Sequence, residues 1–176
     1  IAPYIVLRLV FMLSVTGQSR PVPMGPYLNR IKPWVTVICT CYNHEDYVAE
    51  ALQSVVMQTY PNVELIVIDN GSTDQSTVRI DQFVRQNPAI RFLRNPTNPG
   101  LNRAFNQGLA LAGGRYVIDL SADDVLLPDR VARQVDLFER LPGPCAVVFS
   151  NAVYIDKQGT ELGIHYPVDA NGCAVN

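Results

Sequence analysis

Two adjacent carboxylates, Asp123 and Asp124, follow a short β-rich run in the stretch RYVIDLSADDVLLP, Arg115 to Pro128. The pattern predicts a strand over 115–120, an exit through Ser121-Ala122, and a helix that starts at Pro128. Like charges this close resist joint ionisation. A divalent cation removes the conflict, and carboxylate oxygens suit Mg²⁺ or Mn²⁺. Such a cation would also bridge to a diphosphate. The same residues fit a solvated loop in which one aspartate caps the helix at Pro128. On this stretch alone both readings stay open.

The elements that would position these acids are legible in order. Trp34 to Thr40 is a near-continuous β-branched run, the pattern of a central parallel strand. Cys41-Tyr-Asn-His44 turns into a helix over 45–59, with Val48, Ala51, Leu52, Val55 and Val56 at helical spacing. Val63 to Ile68 is a second strand and ends in Asp69-Asn70-Gly71-Ser72. Ser72 with Gln75 fits a capping box for a helix to about Arg85. A short third strand covers Ile90 to Leu93. After a rigid polar loop, Asn95 to Gly100, a third helix presents Leu101, Phe105, Leu109 and Ala112 on one face. Strand four is 115–120, and the helix after Pro128 turns Val131, Val135 and Phe138 inward. Cys145 to Phe149 is a further strand, and Val153 to Asp156 pairs through Lys157-Gln-Gly159.

Alternation of strand and helix implies an α/β fold: a mainly parallel twisted sheet with helices on both faces. Ligands bind such sheets at the carboxyl ends of the strands, where strand order reverses. Thr40 to Asn43, Asp69-Asn70 and Ser121 to Asp124 all end strands on that edge. Three clusters from distant sequence therefore converge, which favours the functional reading.

Length and composition set the bounds. The 176 residues allow one domain with a real core. A hydrophobic content of 48% and a formal charge of −2 exclude the basic balance of a nucleic-acid binder. Cys39 and Cys41 share a strand face and cannot easily pair. With Cys145 and Cys173 they read as reduced thiols, which suits a cytoplasmic location. Residues 1–33 form an irregular N-terminal segment in this reading. Its apolar part, Ile1 to Val15, is interrupted by Arg8, is short for a membrane span and lacks signal-peptide features. It fits the tail of a longer segment or sequence upstream of a start at Met24. Residues 34–160 form the ligand-binding domain. Residues 161–176 are a tail without periodicity, which reads as a C-terminal truncation.

The stretch VTVICTCYNHEDYVAEALQSVVMQTYPNVELIVIDNGSTD closely resembles the opening of the family 2 glycosyltransferases, which have the GT-A fold. The run from Asn98 to Tyr116 and the L-S-A-D-D-x-x-x-P that follows resemble that family's middle. The match covers about Val35 to Gly159 in one register. The resemblance implies a Rossmann-like GT-A domain that binds a nucleotide-diphosphate-sugar donor. Its sugar would pass to an acceptor hydroxyl on a glycan or lipid-linked acceptor, with inversion, in cell-surface polysaccharide or glycan synthesis. Peripheral association with the inner face of a membrane accompanies that expectation. Thr40 and Tyr42 would line the base pocket, with Tyr42 stacking on the base. Asn43, Asp69, Asn70 and Asn106 would complete the nucleotide-sugar site. Asp123 and Asp124 would hold the ribose and a Mn²⁺ or Mg²⁺ ion, which stabilises the leaving diphosphate.

Three positions depart from the family's pattern. Asn70 stands where a second acid is usual, Ser121 where an acid often begins D-x-D-D, and Phe105 where an arginine often precedes the third helix's asparagine. Asp119 is expected to pair with Arg103 or Arg115, His44 to cap the first helix, and His165 to have no role. No residue here reads as the base that takes the acceptor's proton; in the family it lies downstream. The chain is therefore expected to bind donor without transferring sugar, and to self-associate through uncovered apolar faces. A non-catalytic nucleotide-sugar-binding module is the alternative. A receiver-like or flavodoxin-like domain would want an acidic pair after strand one, where this chain has Thr-Cys-Tyr-Asn.

Overall fold

A computed structural model of the protein describes residues 11–14, 32–142 and 145–168. In chain order the elements are β1 (Phe11–Ser14), β2 (Val35–Cys41), α1 (Val48–Val56), β3 (Val63–Asp69), α2 (Ser76–Gln86), β4 (Arg91–Arg94) and α3 (Leu101–Leu111). β5 (Tyr116–Ser121), α4 (Arg130–Arg140), β6 (Val147–Phe149), β7 (Val153–Ile155) and β8 (Glu161–Ile164) follow. Six strands form one sheet in the order β4-β3-β2-β5-β1-β6, and β7 pairs with β8 in a hairpin. β4, β3, β2 and β5 are parallel. This is the expected α/β architecture.

Alternation along β2 divides the core in two. Val35, Val37, Cys39 and Cys41 face Val48, Leu52 and Val55 of α1, Ile80 of α2 and Val131, Val135 and Phe138 of α4. Ile38 joins Ile66, Ile68 and Val117 against Ala104, Phe105 and Leu109 of α3. Both faces of β2 are buried because its side chains are apolar or hydroxyl-bearing at every position. α3 lies close because Gly108 has no side chain: a Cβ there would sit 2.6 Å from Ile38 Cγ2. Cys39 and Cys41 do share a face, and with Cys145 they are free thiols. Cys173 lies outside the described residues.

Several expectations are corrected. The N-terminal segment is not irregular at residues 11–14: β1 pairs antiparallel with β5 (Met12 with Ile118) and with β6 (Met12 with Val148). Without it, β5 would carry an unpaired edge in the middle of the sheet. The remainder of residues 1–31 lies outside the described residues, as do residues 169–176. Val56 is exposed, one step past the inward face of α1, and Leu101 is half exposed at the start of α3. Ser72 does not cap α2. That helix starts at Ser76, whose N–H donates to Asp74 Oδ1 at 2.9 Å. The helix after β5 does not begin at Pro128, and its N-cap position is Asp129, whose side chain makes no cap hydrogen bond. α4 starts at Arg130, and Gln58 from the end of α1 accepts from Val131 N–H at 3.0 Å. Among the described residues no helix is long and apolar enough to cross a membrane.

Candidate functional site

β2 is the switch point of the sheet: the chain proceeds from it to β3 and β4 on one side, then returns to β5 on the other. The carboxyl ends of β2 and β5 are in register, with Thr40 opposite Ser121. Side chains past these ends face open space where no strand continues, which makes the crevice the natural ligand site. A cavity of about 210 Å³ lies there, lined by Thr40, Cys41, Tyr42, His44, Asn70, Leu101, Ser121 and Asp123. A second cavity of about 450 Å³ shares Asp123 and extends to Asp46, Glu50 and the turn at Asp156 to Gly159.

One wall is built by two loops locked together. Asn43 sits in the left-handed region (φ 58°). Its N–H donates to Ser72 Oγ at 3.0 Å, and its Oδ1 accepts from Thr73 N–H at 2.8 Å. His44 N–H donates to Ser76 Oγ at 2.9 Å, Glu45 N–H to Asp74 Oδ2 at 3.1 Å, and Gln75 N–H to Glu45 Oε2 at 2.7 Å. Ser72 is thus consumed by a long-range contact, which is why it caps no helix. Asp69 is 1% exposed and turns away from the crevice: its Oδ1 accepts from Ser72 N–H at 3.1 Å, its Oδ2 from Thr77 Oγ1 at 2.6 Å.

Asn70, which lines the cavity with Tyr42, belongs to a clasp of amides. Asn70 is 4% exposed, and its Nδ2 donates to Asn98 Oδ1 at 2.8 Å. The same oxygen accepts from Gly100 N–H at 2.8 Å. Asn95 Nδ2 reaches Asn70 Oδ1 at 3.4 Å and exchanges hydrogen bonds with Gln107. Gly71 (φ +78°) lets this loop close in, since a Cβ there would sit 2.5 Å from the Thr97 carbonyl carbon.

The opposite wall is the β5–α4 loop. Ala122 N–H donates to Thr40 O at 3.0 Å and Asp124 N–H to Ser121 O at 3.0 Å, which closes a tight turn. Leu126 N–H donates to Ser54 Oγ at 3.0 Å, docking the loop on α1. This turn separates the two acids. Asp123 faces both cavities, and Ser121 Oγ donates to its Oδ1. Asp124 is 1% exposed and lines neither cavity. The adjacent carboxylates therefore do not form one acidic patch. Among the described residues no group of three or more His, Cys, Asp or Glu could hold a metal by itself.

The structure brings together Thr40, Tyr42, Asn70 and Asp123 of the expected site. Asn43 and Asp69 lie behind it as loop supports, Asp124 is interior, and Asn106 is exposed on α3 outside the cavity lining. Phe105 packs under α3, so the arginine the family often has there would meet apolar core. Arg115 forms an ion pair with Glu139 at 3.1 Å. His44 does start α1 through its carbonyl, which accepts from Tyr47 and Val48 N–H. Its imidazole also lies in the crevice, where Nε2 is 3.8 Å from Asp123 Oδ2 and Nδ1 is buried without a hydrogen-bond partner. Its position past the carboxyl end of β2 was the signal.

The donor set suits a divalent cation completed by a ligand's own oxygens. Mg²⁺ and Mn²⁺ sites on phosphates often use one or two protein groups and take the rest from substrate and water. Asp123 Oδ2 faces the cavity, while Oδ1 is oriented by Ser121. Burial pushes the Cys41 thiol up to about 11, so it lines the cavity as a neutral group.

A mainly parallel sheet covered on both faces, with a polar crevice at its switch point, defines the class: a doubly wound α/β domain. Residues 36–169 match the family described as Glycosyl transferase family 2, and the chain belongs to that family. It is 34% identical over 139 residues to a putative teichuronic acid biosynthesis glycosyltransferase, TuaG, of Bacillus subtilis, covering 77% of this chain and 54% of TuaG. Among solved structures it resembles the mannosyltransferase PcManGT of Pyrobaculum calidifontis in complex with GDP-Man and Mn²⁺. There the TM-score is 0.57 and the identity 27%, over 65% of this chain and 34% of that one. It also resembles S. aureus TarS in complex with UDP-GlcNAc, at TM-score 0.55 and 28% identity, over 60% of this chain and 31% of that one. The chain spans between 19% and 54% of the length of such curated relatives.

Proposed function

We propose that the chain binds a nucleotide-diphosphate-sugar in the crevice between β2 and β5, as the donor half of an inverting glycosyltransferase. The acceptor would be a glycan or lipid-linked hydroxyl in cell-surface polysaccharide synthesis, with the protein in the cytoplasm or at the inner face of a membrane. The observation that carries this is the convergence of Thr40, Tyr42, Asn70, Ser121 and Asp123 on one cavity at the switch point. TuaG, PcManGT and TarS support it by what their names state.

In this reading Tyr42, 43% exposed at the rim, offers its ring face to the base. Thr40 and the amide clasp at Asn70 meet the base edge and ribose. Asp123 holds the diphosphate end through a Mn²⁺ or Mg²⁺ ion, which would supply charge stabilisation to the departing diphosphate. Asp123 thereby faces the leaving side, and Asp69 is turned into the fold. Asp156 is engaged in its own turn: the N–H groups of Thr160, foremost, and Gln158 hold its carboxyl below the usual range. None of these is placed to take the acceptor's proton.

Calorimetric titration of GDP and UDP, with Mn²⁺, with Mg²⁺ and with chelator, tests the site. Asp123→Asn should lose the metal-dependent part of the affinity with little change in thermal stability. Asp124→Asn should instead lower the unfolding temperature, because an interior carboxylate is part of the packing. Equal nucleotide affinity with cation and with chelator would remove the metal role.

A further inference from the structure

The crevice contains a nitrogen donor beside its one accessible carboxylate. We propose that His44 is a second protein ligand of the cation at Asp123. This shifts the site's preference away from Mg²⁺ and toward first-row transition ions. The inference rests on the donor-site reading above and deepens it.

Three observations carry it. First, His44 and Asp123 come from opposite walls, yet Nε2 and Oδ2 are 3.8 Å apart in the same cavity. At that distance they make no hydrogen bond. Two ligand atoms on one cation, each about 2.1 Å from it at a cis or tetrahedral angle, lie roughly 3.0–3.4 Å apart. A small side-chain adjustment closes the difference. Second, the backbone under His44 is fixed from both sides. Its N–H is held by Ser76 Oγ, and its carbonyl by Tyr47 and Val48 N–H. Third, Ser121 Oγ donates to Asp123 Oδ1, which leaves Oδ2 directed at the imidazole.

The chemistry follows from the donor types. Mg²⁺ prefers an all-oxygen octahedron, whereas imidazole favours transition ions. Mn²⁺ accepts a nitrogen while remaining compatible with carboxylate, phosphate and water in the rest of its shell. Ser121 stands where the resembled family often has an acid. His44 supplies from the other wall the second ligand that such an acid would otherwise provide.

The test uses Mn²⁺ itself with GDP or UDP on the intact chain. Electron spin-echo spectra of the ternary complex should show a nitrogen coupling from imidazole, absent in His44→Ala. Mn²⁺ affinity in the presence of nucleotide should fall about tenfold or more in His44→Ala. Nucleotide affinity in chelator should stay at the wild-type value. His44→Asp should restore binding with the Mn²⁺/Mg²⁺ affinity ratio moved toward Mg²⁺, which separates ligand loss from a folding defect. Wild-type spectra without nitrogen coupling, or undiminished Mn²⁺ affinity in His44→Ala, would overturn the assignment while leaving the donor site intact. An equal loss of nucleotide affinity with and without chelator would place the imidazole on the diphosphate and also overturn it. Full Mn²⁺ affinity in Asp123→Asn would overturn the donor-site reading as well.

Discussion

Replacing Asn70 by aspartate would restore the acid that the resembled family usually has, and the amide clasp sets its consequence. Asn70 Nδ2 donates to Asn98 Oδ1 at 2.8 Å, and that oxygen also accepts from Gly100 N–H at 2.8 Å. In Asn70→Asp an acceptor would face an acceptor at this distance. Asn98 can relieve the clash by flipping, so that its amide donates to the new carboxylate. The flip takes the acceptor away from Gly100 N–H. A charged hydrogen bond contributes roughly 1.5–3 kcal/mol, while the desolvated carboxylate and the lost acceptor each cost about 1–3 kcal/mol. Gly100 is exposed and can turn to water, so its loss falls at the low end. The net expectation is destabilisation of about 1 kcal/mol, a fall of roughly 2–4 °C in Tm for a chain of this size. Base choice should sharpen at the same time. An asparagine can accept and donate, and so tolerates several base edges, whereas an aspartate only accepts and favours the imide N–H of uracil. Differential scanning calorimetry and competition among GDP, UDP and ADP measure the two effects. Wild-type Tm together with an unchanged nucleotide ranking would show that Asn70 is neither in the clasp nor at the base.

Asn43 carries the loop lock, so Asn43→Ala should lower stability by about 2 kcal/mol, from lost hydrogen bonds and a left-handed backbone without its tolerant residue. Asn43→Gly keeps the backbone and should recover roughly half of that in a urea titration. Burial raises the Asp74 carboxyl, but hydrogen bonds from the Ser76 hydroxyl and N–H and from Glu45 N–H outweigh it and leave it below its ordinary 3.8. Because the folded value is depressed, its contribution is present above about pH 3.8 and lost as pH falls through the lower folded value. Asp74→Asn should flatten that part of an acid-unfolding profile. Cys39 and Cys41 are buried, with burial pushing both thiols up and Cys41 to about 11. Iodoacetamide at neutral pH should therefore modify Cys145 well before either in the native chain, a ranking readable by peptide mass analysis.

The sheet was legible because its strands are long β-branched runs buried on both faces, and β2 and β3 lie within a residue of where the pattern places them. The crevice was legible because polar residues end three of those strands on one edge. What the sequence hides is decided between elements. The backbone turn at Ser121 to Asp124 sends one aspartate to the crevice and its neighbour inward, and adjacency in sequence carries no sign of that. Ser72 and Gln75 satisfy a local capping pattern, yet Asn43, 29 residues earlier, takes the Ser72 hydroxyl. Leu101 keeps helical spacing with Phe105 but lies at the mouth of the cavity rather than in the core. β1 escapes periodicity altogether, since four residues are too few to show a period, and its pairing is set by the edge β5 offers.

The two walls of the crevice differ in how they are held, and that bears on the order of binding. The β2–α1 and β3–α2 loops are tied to each other by at least five backbone or carboxylate hydrogen bonds, so the wall bearing Tyr42 and His44 is formed before any ligand arrives. The β5–α4 loop leans on α1 through Ser54 and Gln58 and meets the first wall where Ala122 pairs with Thr40 and where Asp123 approaches His44. A cation shared by His44 and Asp123 adds a link between the walls beside the diphosphate. Nucleotide that supplies further oxygens to that cation strengthens the link, and a cation in place strengthens the hold on nucleotide. By linkage the two enhancements are equal. A carboxylate pair on a single loop would hold a metal without joining the walls. One acid facing one imidazole across the switch point would instead make cation and donor bind as a unit.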